Sequence, residues 1–205
     1  MELVLVRHAE PTEEARGRCY GRLDVELSDR GRAQCEQLAA RLSEEPVAAV
    51  VSSPRLRARD TAWAIAERHG LAVSVLDELR ELDFGEFEGH TYAEIAASHP
   101  DLYARWMRAP TSARFPGGEG YADLHARVVD VVSRLRAAYA GRLVVAVTHA
   151  GVVRAVLAEA LGMPHDRIFH LAVDTASLTR LEWLGDMPIV RSFNLSIDTS
   201  SPHEV

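Results

Sequence analysis

The stretch LVLVRHAE, residues 3–10, joins an apolar strand to two nitrogen-rich side chains. The four apolar residues 3–6 indicate a strand buried on both faces. Strands commonly end in Gly, Asn or Asp, whereas this one ends in Arg7 and His8. The two side chains are either an ordinary surface pair or the start of a ligand site, and the rest of the sequence has to decide between these readings.

Five further apolar runs have the length of strands, and helical patterns separate most of them. The runs are VAAVV (47–51), VSVL (73–76), LVVAV (143–147), SLTRLEWL (177–184) and IVRSF (189–193). Such alternation predicts an α/β fold: a three-layer α/β/α sandwich around a mostly parallel sheet. The last two runs are close in sequence and predict an antiparallel pair at one edge of that sheet.

Capping residues predict where two of the helices begin and end. Ser28 is a predicted N-cap of the first helix. Ser53 and Pro54 are predicted as the N-cap and first residue of the second helix, with Gly70 as its stop.

The 205 residues predict one domain over 1–195. Residues 90–118 are expected to form a short cap insertion, because Pro100 interrupts a helical pattern and several prolines and glycines follow it. Residues 196–205 are expected to form a flexible tail.

Composition argues against several classes of partner. The net charge of −7 disfavours general binding to nucleic acid or to an anionic membrane. No signal peptide and no apolar run of about 20 residues is visible. Cys19 and Cys35 lie outside any CxxC pair and are expected to be free thiols in a reducing compartment. We therefore expect a soluble, cytoplasmic protein.

Four polar segments follow closely on predicted strands, where ligands bind in such sheets. They contain Arg7 and His8, then Arg57 among the arginines of SSPRLRARDTA (52–62), then Glu81 in LRELDFGEFEG (79–89), and His149 in THAG (148–151). Each segment alone is also explained by a solvated surface or a satisfied polar residue. Two imidazoles, one or two guanidinium groups and a carboxyl gathered at one edge describe a pocket for a small dianion, most simply phosphate.

These segments resemble, in order, the motifs of the histidine phosphatase superfamily, whose fold is shared with cofactor-dependent phosphoglycerate mutases. RHAE (7–10) resembles Arg-His-Gly-Glu, and YGRLDVELSDRG (20–31) resembles Gly-x-x-Asp-x-x-Leu-x-x-x-Gly. SSPRLRARDTA resembles Ser-x-Leu-x-Arg-Ala-x-x-Thr-Ala, and THAGVVRAVL (148–157) resembles Thr-His-Gly-Gly-x-x-Arg. LRELDFGEFEG matches the family's block with a glutamate followed by aromatic-Glu-Gly.

The resemblance implies roles for the matched residues. His8 would be the nucleophile that forms a phosphohistidine, and Glu81 the general acid, which must hold a proton near pH 7. Arg7, Arg57 and a protonated His149 would bind the phosphate, so no metal and no other cofactor is expected. A metal site with His8 and His149 as ligands lacks a third well-placed ligand in these motifs.

Three positions depart from the family pattern. Ala9 and Ala150 stand where glycine is usual, and Pro11 replaces a threonine. The two alanines should have ordinary backbone angles and place methyl groups close to the pocket. Pro11 removes a hydroxyl from the substrate side. Whether these changes alter specificity stays open.

The family resemblance leaves three functions open: a phosphatase, a phosphoglycerate mutase, or a non-catalytic protein that binds phosphate ligands. Gly117 follows Gly89 by only 28 positions, and so short a cap should admit water and favour hydrolysis. CYGRLDVELSDRG (19–31) and FPGGEGYADLHARV (115–128) resemble segments of the alpha-ribazole phosphatases, which makes alpha-ribazole phosphate a candidate substrate.

Weaker candidates surround the predicted pocket. Arg22 and Glu119 are substrate-binding candidates, although a loop arginine and a turn carboxylate explain them as well. Tyr92, Tyr103 and Trp106 either stack on a flat substrate or form a helix core. The expected ligands are a small phosphorylated substrate and phosphate, sulfate or vanadate, and a homodimer is compatible with the sequence.

Overall fold

The computed structural model describes residues 1–197, which form a six-stranded sheet with helices on both faces. The sheet order is β3-β2-β4-β1-β5-β6, with β1 to β4 parallel and β5 and β6 antiparallel at one edge. The strands are β1 (Glu2–Arg7), β2 (Val47–Ser52), β3 (Val73–Val75), β4 (Leu143–Thr148), β5 (Leu178–Leu184) and β6 (Met187–Leu195). The predicted fold class and the antiparallel edge are both confirmed.

Six α-helices connect and cover these strands. They are α1 (Asp29–Leu42), α2 (Leu56–Arg68), α3 (Tyr92–Ser98), α4 (Pro100–Arg108), α5 (Tyr121–Ala138) and α6 (Ala150–Leu161). The Ser28 side chain caps α1 by accepting from the Gly31 N–H, as predicted. Gly70, with a φ of +62°, follows the end of α2, also as predicted.

Two separate cores hold the three layers together. One cluster joins α5 and α6 to one face of the sheet, where Leu3, Leu5 and Val144 are fully buried. The other joins α1 and α2 to the opposite face, where Val4, Val6 and Val145 are fully buried. Successive residues of β1 therefore serve different cores, which explains why its apolar run does not alternate with polar residues.

The register of the central strands places His8 and His149 together at the carboxyl ends of the parallel strands. Arg7 of β1 pairs with Thr148 of β4, so that each strand ends immediately before a histidine. Ser52 of β2 pairs with Val147 on the other side of β4, which brings the following loop to the same edge. The sheet thus gathers segments that are distant in sequence.

The predicted start of the second helix is wrong. Helix α2 begins at Leu56 with Arg55 as its N-cap; the Arg55 side chain makes no capping bond, and the Leu56 N–H donates to the Asp24 carboxylate at 2.9 Å. The Ser53 hydroxyl lies instead 2.7 Å from Nε2 of His149. Tertiary contact with the histidine therefore overrides the local capping preference of the Ser-Pro pair.

The predicted cap contains α3, α4 and a short 3₁₀ turn. A capping box between Thr91 and Glu94 starts α3, and Pro100 is the first residue of α4. A small aromatic cluster that includes Phe87, Trp106 and Phe115 packs beneath these helices.

Most of the predicted flexible tail, residues 198–205, lies outside the described residues. Ile197, the last described residue, packs against the α1–α2 core. Within residues 1–197, every helix is too short or too polar to span a bilayer.

Candidate active site

The five side chains singled out in the sequence line one cavity of about 270 Å³. Arg7, His8, Arg57, Glu81 and His149 reach it from the ends of β1 and β4, from α2 and from the segment after β3. Their convergence follows from the parallel strands, which end at the same edge of the sheet.

His8 is buried and held in one tautomer. Its Nδ1 lies 2.8 Å from the carbonyl oxygen of Ala9, which can only accept, so Nδ1 carries the proton. Nε2 therefore keeps its lone pair and accepts from Nε of Arg57 at 3.3 Å. Burial lowers the pKa of His8 well below its usual value, and the positive charges of Arg57 and Arg7 lower it further. His8 is thus neutral and presents a nucleophilic nitrogen.

Arg57 is the most buried charged group of the site, with no exposed surface. Its guanidinium donates to the backbone carbonyls of Tyr20, Gly21 and Leu23 at 2.8–3.1 Å. It also lies 4.9 Å from the centre of the Tyr20 ring. Burial lowers the pKa of Arg57 to about 10, so the group stays charged at neutral pH. These contacts fix a positive charge between the two histidines.

His149 lies across the cavity from His8, with ring centres 5.1 Å apart. Its Nδ1 accepts from Arg57 at 3.3 Å, so its proton is on Nε2 and points to the Ser53 hydroxyl. Burial and the charge of Arg57 lower the pKa of His149 well below its usual value. Burial and the arginine charges therefore favour a neutral His149, and the imidazolium that the resemblance implies needs an anion beside it.

Arg7 offers a hydrogen-bond donor to a ligand. One terminal nitrogen donates to the carbonyl of Val173, which orients the side chain. Its Nε is buried, and among residues 1–197 it has no hydrogen-bond partner. A buried donor without an acceptor is costly, so an anion in the cavity would gain a strong contact here.

Glu81 is positioned by two backbone N–H groups. Its carboxylate accepts from Leu82 at 2.9 Å and from Gly151 at 3.1 Å. A Cβ atom at position 151 would lie 2.2 Å from the Glu81 carboxylate, so a larger residue there would push the carboxylate aside. The glycine of the THAG segment thus makes room for the predicted acid.

The two weaker substrate-binding candidates do not line the cavity. The half-exposed Arg22 side chain lies 3.9 Å from the Asp83 carboxylate. Glu119 is paired with Arg80 at 2.5 Å and with Arg127 at 3.0 Å. Because both oxygens of Glu119 are already bound by arginines, we assign it to holding the segment around Asp83, not to binding substrate.

The cap supplies an aromatic wall. Tyr92 and Trp106 line the cavity with ring centres 5.4 Å apart, whereas Tyr103 packs edge-on against Trp106 from behind. Two of the three aromatic residues considered for stacking therefore face the site, and the third belongs to the core of the cap.

The three unusual positions have different surroundings. Ala150 lines the cavity, whereas the Ala9 methyl packs with Leu27 and Cys35 outside it. Neither alanine has a positive φ, as predicted. Pro11 pairs with Leu27 in an isolated bridge and does not line the cavity.

Sequence reasoning missed three residues of the site. Tyr20 lies under Arg57, Ser53 contacts His149, and Arg154 lines the cavity from α6. Arg154 could have been found, because it ends the matched motif that begins at Thr148. Within residues 1–197, histidines, cysteines and carboxylates form no group of three or more suited to a metal ion.

A neutral imidazole beside two fixed arginines, with a carboxyl across the same cavity, defines a site for phosphoryl transfer. The family model of the histidine phosphatase superfamily (branch 1) matches residues 3–196. The chain belongs to this superfamily and is a phosphatase.

Relatives and solved structures similar to this chain are also named as phosphatases. Phosphoserine phosphatase 1 of Hydrogenobacter thermophilus is 32% identical over 196 residues, which cover 96% of this chain and 93% of the relative. An alpha-ribazole phosphatase from Shigella flexneri superimposes with a TM-score of 0.88 at 26% identity, covering 95% and 96% of the two chains. A mycobacterial glucosyl-3-phosphoglycerate phosphatase complexed with VO3 does so with a TM-score of 0.85 at 34% identity, covering 95% and 99%.

Proposed function

We propose that the protein hydrolyses small phosphomonoesters without a metal ion, through a phosphohistidine at His8. The observation that carries this proposal is the lone pair on Nε2 of His8, which is fixed by the Ala9 carbonyl beside the Arg57 guanidinium. Arg7, Arg57 and His149 supply the positive charge and the donors for a phosphate dianion.

In the first half-reaction, Nε2 of His8 attacks phosphorus in line with the leaving oxygen. The N–P bond forms as the P–O bond breaks, and the Glu81 carboxyl gives its proton to the departing oxygen. The proton stays on Nδ1 and remains hydrogen-bonded to the Ala9 carbonyl throughout, so the phosphorylated imidazole carries a positive ring that favours the next displacement.

In the second half-reaction, the Glu81 carboxylate takes a proton from water, which attacks phosphorus. The N–P bond breaks, phosphate is released, and His8 regains its lone pair. Arg7 and Arg57 donate to the equatorial oxygens in both steps and need little rearrangement, since backbone carbonyls already hold them.

His149 acts differently once substrate binds. A phosphate dianion offsets the arginine charges and favours the imidazolium form, whose Nδ1 proton can bind a phosphate oxygen. The contact between Nε2 and Ser53 is compatible with both protonation states. Ser53 is therefore a positioning residue for His149.

Hydrolysis is favoured over the alternative, a phosphoglycerate mutase, by the small cap of two short helices, α3 and α4. A non-catalytic phosphate-binding protein has no need of the carboxyl at Glu81. Alpha-ribazole phosphate stays a candidate substrate because Tyr92 and Trp106 could stack on its flat base. Buried, unbridged Cys19 and Cys35 support a reducing, cytoplasmic location.

Release of phosphate from p-nitrophenyl phosphate tests the proposal. We expect His8→Ala to abolish turnover, because the proposed reaction passes through a phosphohistidine at this residue, while the exposed control His90→Ala keeps it. EDTA should leave the rate unchanged, and vanadate, a mimic of five-coordinate phosphorus, should inhibit below millimolar concentration. An active His8→Ala variant would mean another nucleophile, and strong inhibition by EDTA would mean a metal mechanism.

A further inference from the structure

Arg154 lines the cavity, but the proposed reaction gives it no role. It lies on α6, one turn after the Gly151 N–H that binds Glu81. Four arginines line the cavity, namely Arg7, Arg18, Arg57 and Arg154. Arg7 and Arg57 serve the phosphate, and Arg18 lies 3.5 Å from the Glu94 carboxylate on the cap. Arg154 is the remaining one.

The Arg154 guanidinium is anchored on one side and open on the other. Its Nε donates to the carbonyl of Leu171 at 2.9 Å, and its Cζ lies 5.3 Å from the centre of the Phe169 ring. Within residues 1–197, no carboxylate lies at ion-pairing distance from it, and its two terminal nitrogens have no protein acceptor. The geometry therefore presents a fixed fork of N–H donors to the cavity.

The position of Arg154 relative to Glu81 tells which part of a substrate it meets. Glu81 must reach the leaving oxygen, and Arg154 lies close enough to Glu81 for their charges to interact. Beyond Glu81 the wall of the cavity is formed by Leu82, Tyr92 and Trp106. Arg154 thus borders the half of the cavity that receives the leaving group.

Arg154 carries a charge whose surroundings do not balance it. Burial lowers the pKa of Arg154, the nearby charge of Glu81 raises it in part, and that of Arg7 lowers it. A partly buried cation that makes no ion pair is costly, and an anion on the ligand would offset that cost. The fork of a guanidinium matches the two oxygens of a carboxylate.

We propose that Arg154 is a specificity residue that binds a carboxylate on the leaving group, so that the preferred substrates are small phosphorylated carboxylic acids. The proposal rests on the phosphatase function proposed above. It disfavours a neutral, flat leaving group such as that of alpha-ribazole phosphate, which would leave Arg154 without a partner. The cavity of about 270 Å³ suits leaving groups of a few carbon atoms.

Matched pairs of substrates test the role of Arg154. O-phosphoserine differs from O-phosphoethanolamine by one carboxylate, and 3-phosphoglycerate differs from glycerol 3-phosphate in the same way. We expect the wild-type protein to prefer the acid of each pair by about 10- to 100-fold in kcat/KM. Arg154→Met should remove that preference by slowing the acids alone, and Arg154→Lys should keep part of it.

Two controls separate specificity from structure. Arg167→Met removes an exposed arginine from the neighbouring segment and should keep the full preference. Any loss of Arg154→Met on p-nitrophenyl phosphate and O-phosphoethanolamine should be at least about 10-fold smaller than its loss on O-phosphoserine.

The outcomes are distinct. Equal losses on acids and neutral esters in Arg154→Met, or no preference in the wild type, would overturn the carboxylate role while leaving the phosphatase intact. Failure of the wild type to hydrolyse any of these esters, p-nitrophenyl phosphate included, would overturn the proposed function itself.

Discussion

The two ends of the cavity are built in different ways. At the phosphate end, His8, Arg57 and His149 are 2%, 0% and 1% exposed and are held by backbone carbonyls or by each other. At the cap end, Tyr92 is 44% exposed and comes from a helix of seven residues. The contrast teaches that the sheet fixes the chemistry, while short, exposed helices border the part of the substrate that differs between relatives.

The largest effect is expected where the phosphate end is broken. Arg57→Met removes a preorganised donor and leaves three backbone carbonyls without a partner. We expect kcat/KM to fall roughly 10²–10³-fold, and by the same factor for every phosphomonoester. Steady-state kinetics on aryl and alkyl esters measures this, with thermal unfolding as a check on folding and Arg59→Met on the same helix as the control. Losses that depend on the leaving group would contradict the division between the two ends.

Glu81 lies between the two ends of the cavity, and Gly151→Ala should displace its carboxylate. The new methyl group would overlap the carboxylate, so protonation of the leaving oxygen is impaired. Alkyl phosphates should slow about 10²-fold and p-nitrophenyl phosphate, whose leaving group needs little protonation, less than about 10-fold. Glu81→Gln should give the same pattern, and the double variant little further loss. If the losses of the two single variants add in the double variant, Gly151 does not act through Glu81.

The stability of the ligand-free protein should depend on pH through the phosphate end. The folded-state pKa values of His8 and His149 lie below the usual 6.5, so the unfolded chain binds protons first as the pH falls. Stability from these residues is complete above about pH 6.5 and is lost below it, by at most about 1.4 kcal/mol per pH unit for each histidine. Urea unfolding at pH 7.5 and 5.5 measures the loss. His149→Gln should lose less stability than the wild type, and an equal loss would place the acid sensitivity elsewhere.

The smallest effect is expected at the cap. Tyr92→Leu removes one aromatic face from the cavity and should lower kcat/KM for esters with aromatic leaving groups roughly 2- to 10-fold. Alkyl esters should be unaffected. Tyr103→Leu, which alters the same cap without reaching the cavity, is the matched control. A similar loss in both variants would show that the cap acts through its stability and not through contact with the substrate.

The same contrast separates what the sequence predicts from what it does not. Apolar runs and their polar ends locate β1, β4 and five side chains that line the cavity, because the period of the pattern and the rule for strand ends are local. The role of Ser53 was not predictable, because its partner His149 lies far away in sequence. The protonation of His149 is not written in the sequence, because it depends on burial and on the distance to Arg57. Arg154 was overlooked although its motif was recognised, since its open guanidinium is a property of the folded cavity.

The central position of β1 in the sheet affects how the protein folds during its synthesis. β1, which ends just before His8, precedes both of its sheet neighbours in the sequence, and these neighbours, β4 and β5, lie far along the chain. The early segment must stay unpaired until its partners emerge from the ribosome. Pairing between such distant segments slows folding, and a chain that stops before β4 lacks both His149 and the strand that aligns His8. We therefore expect phosphatase activity only in chains that extend through β4 and β5.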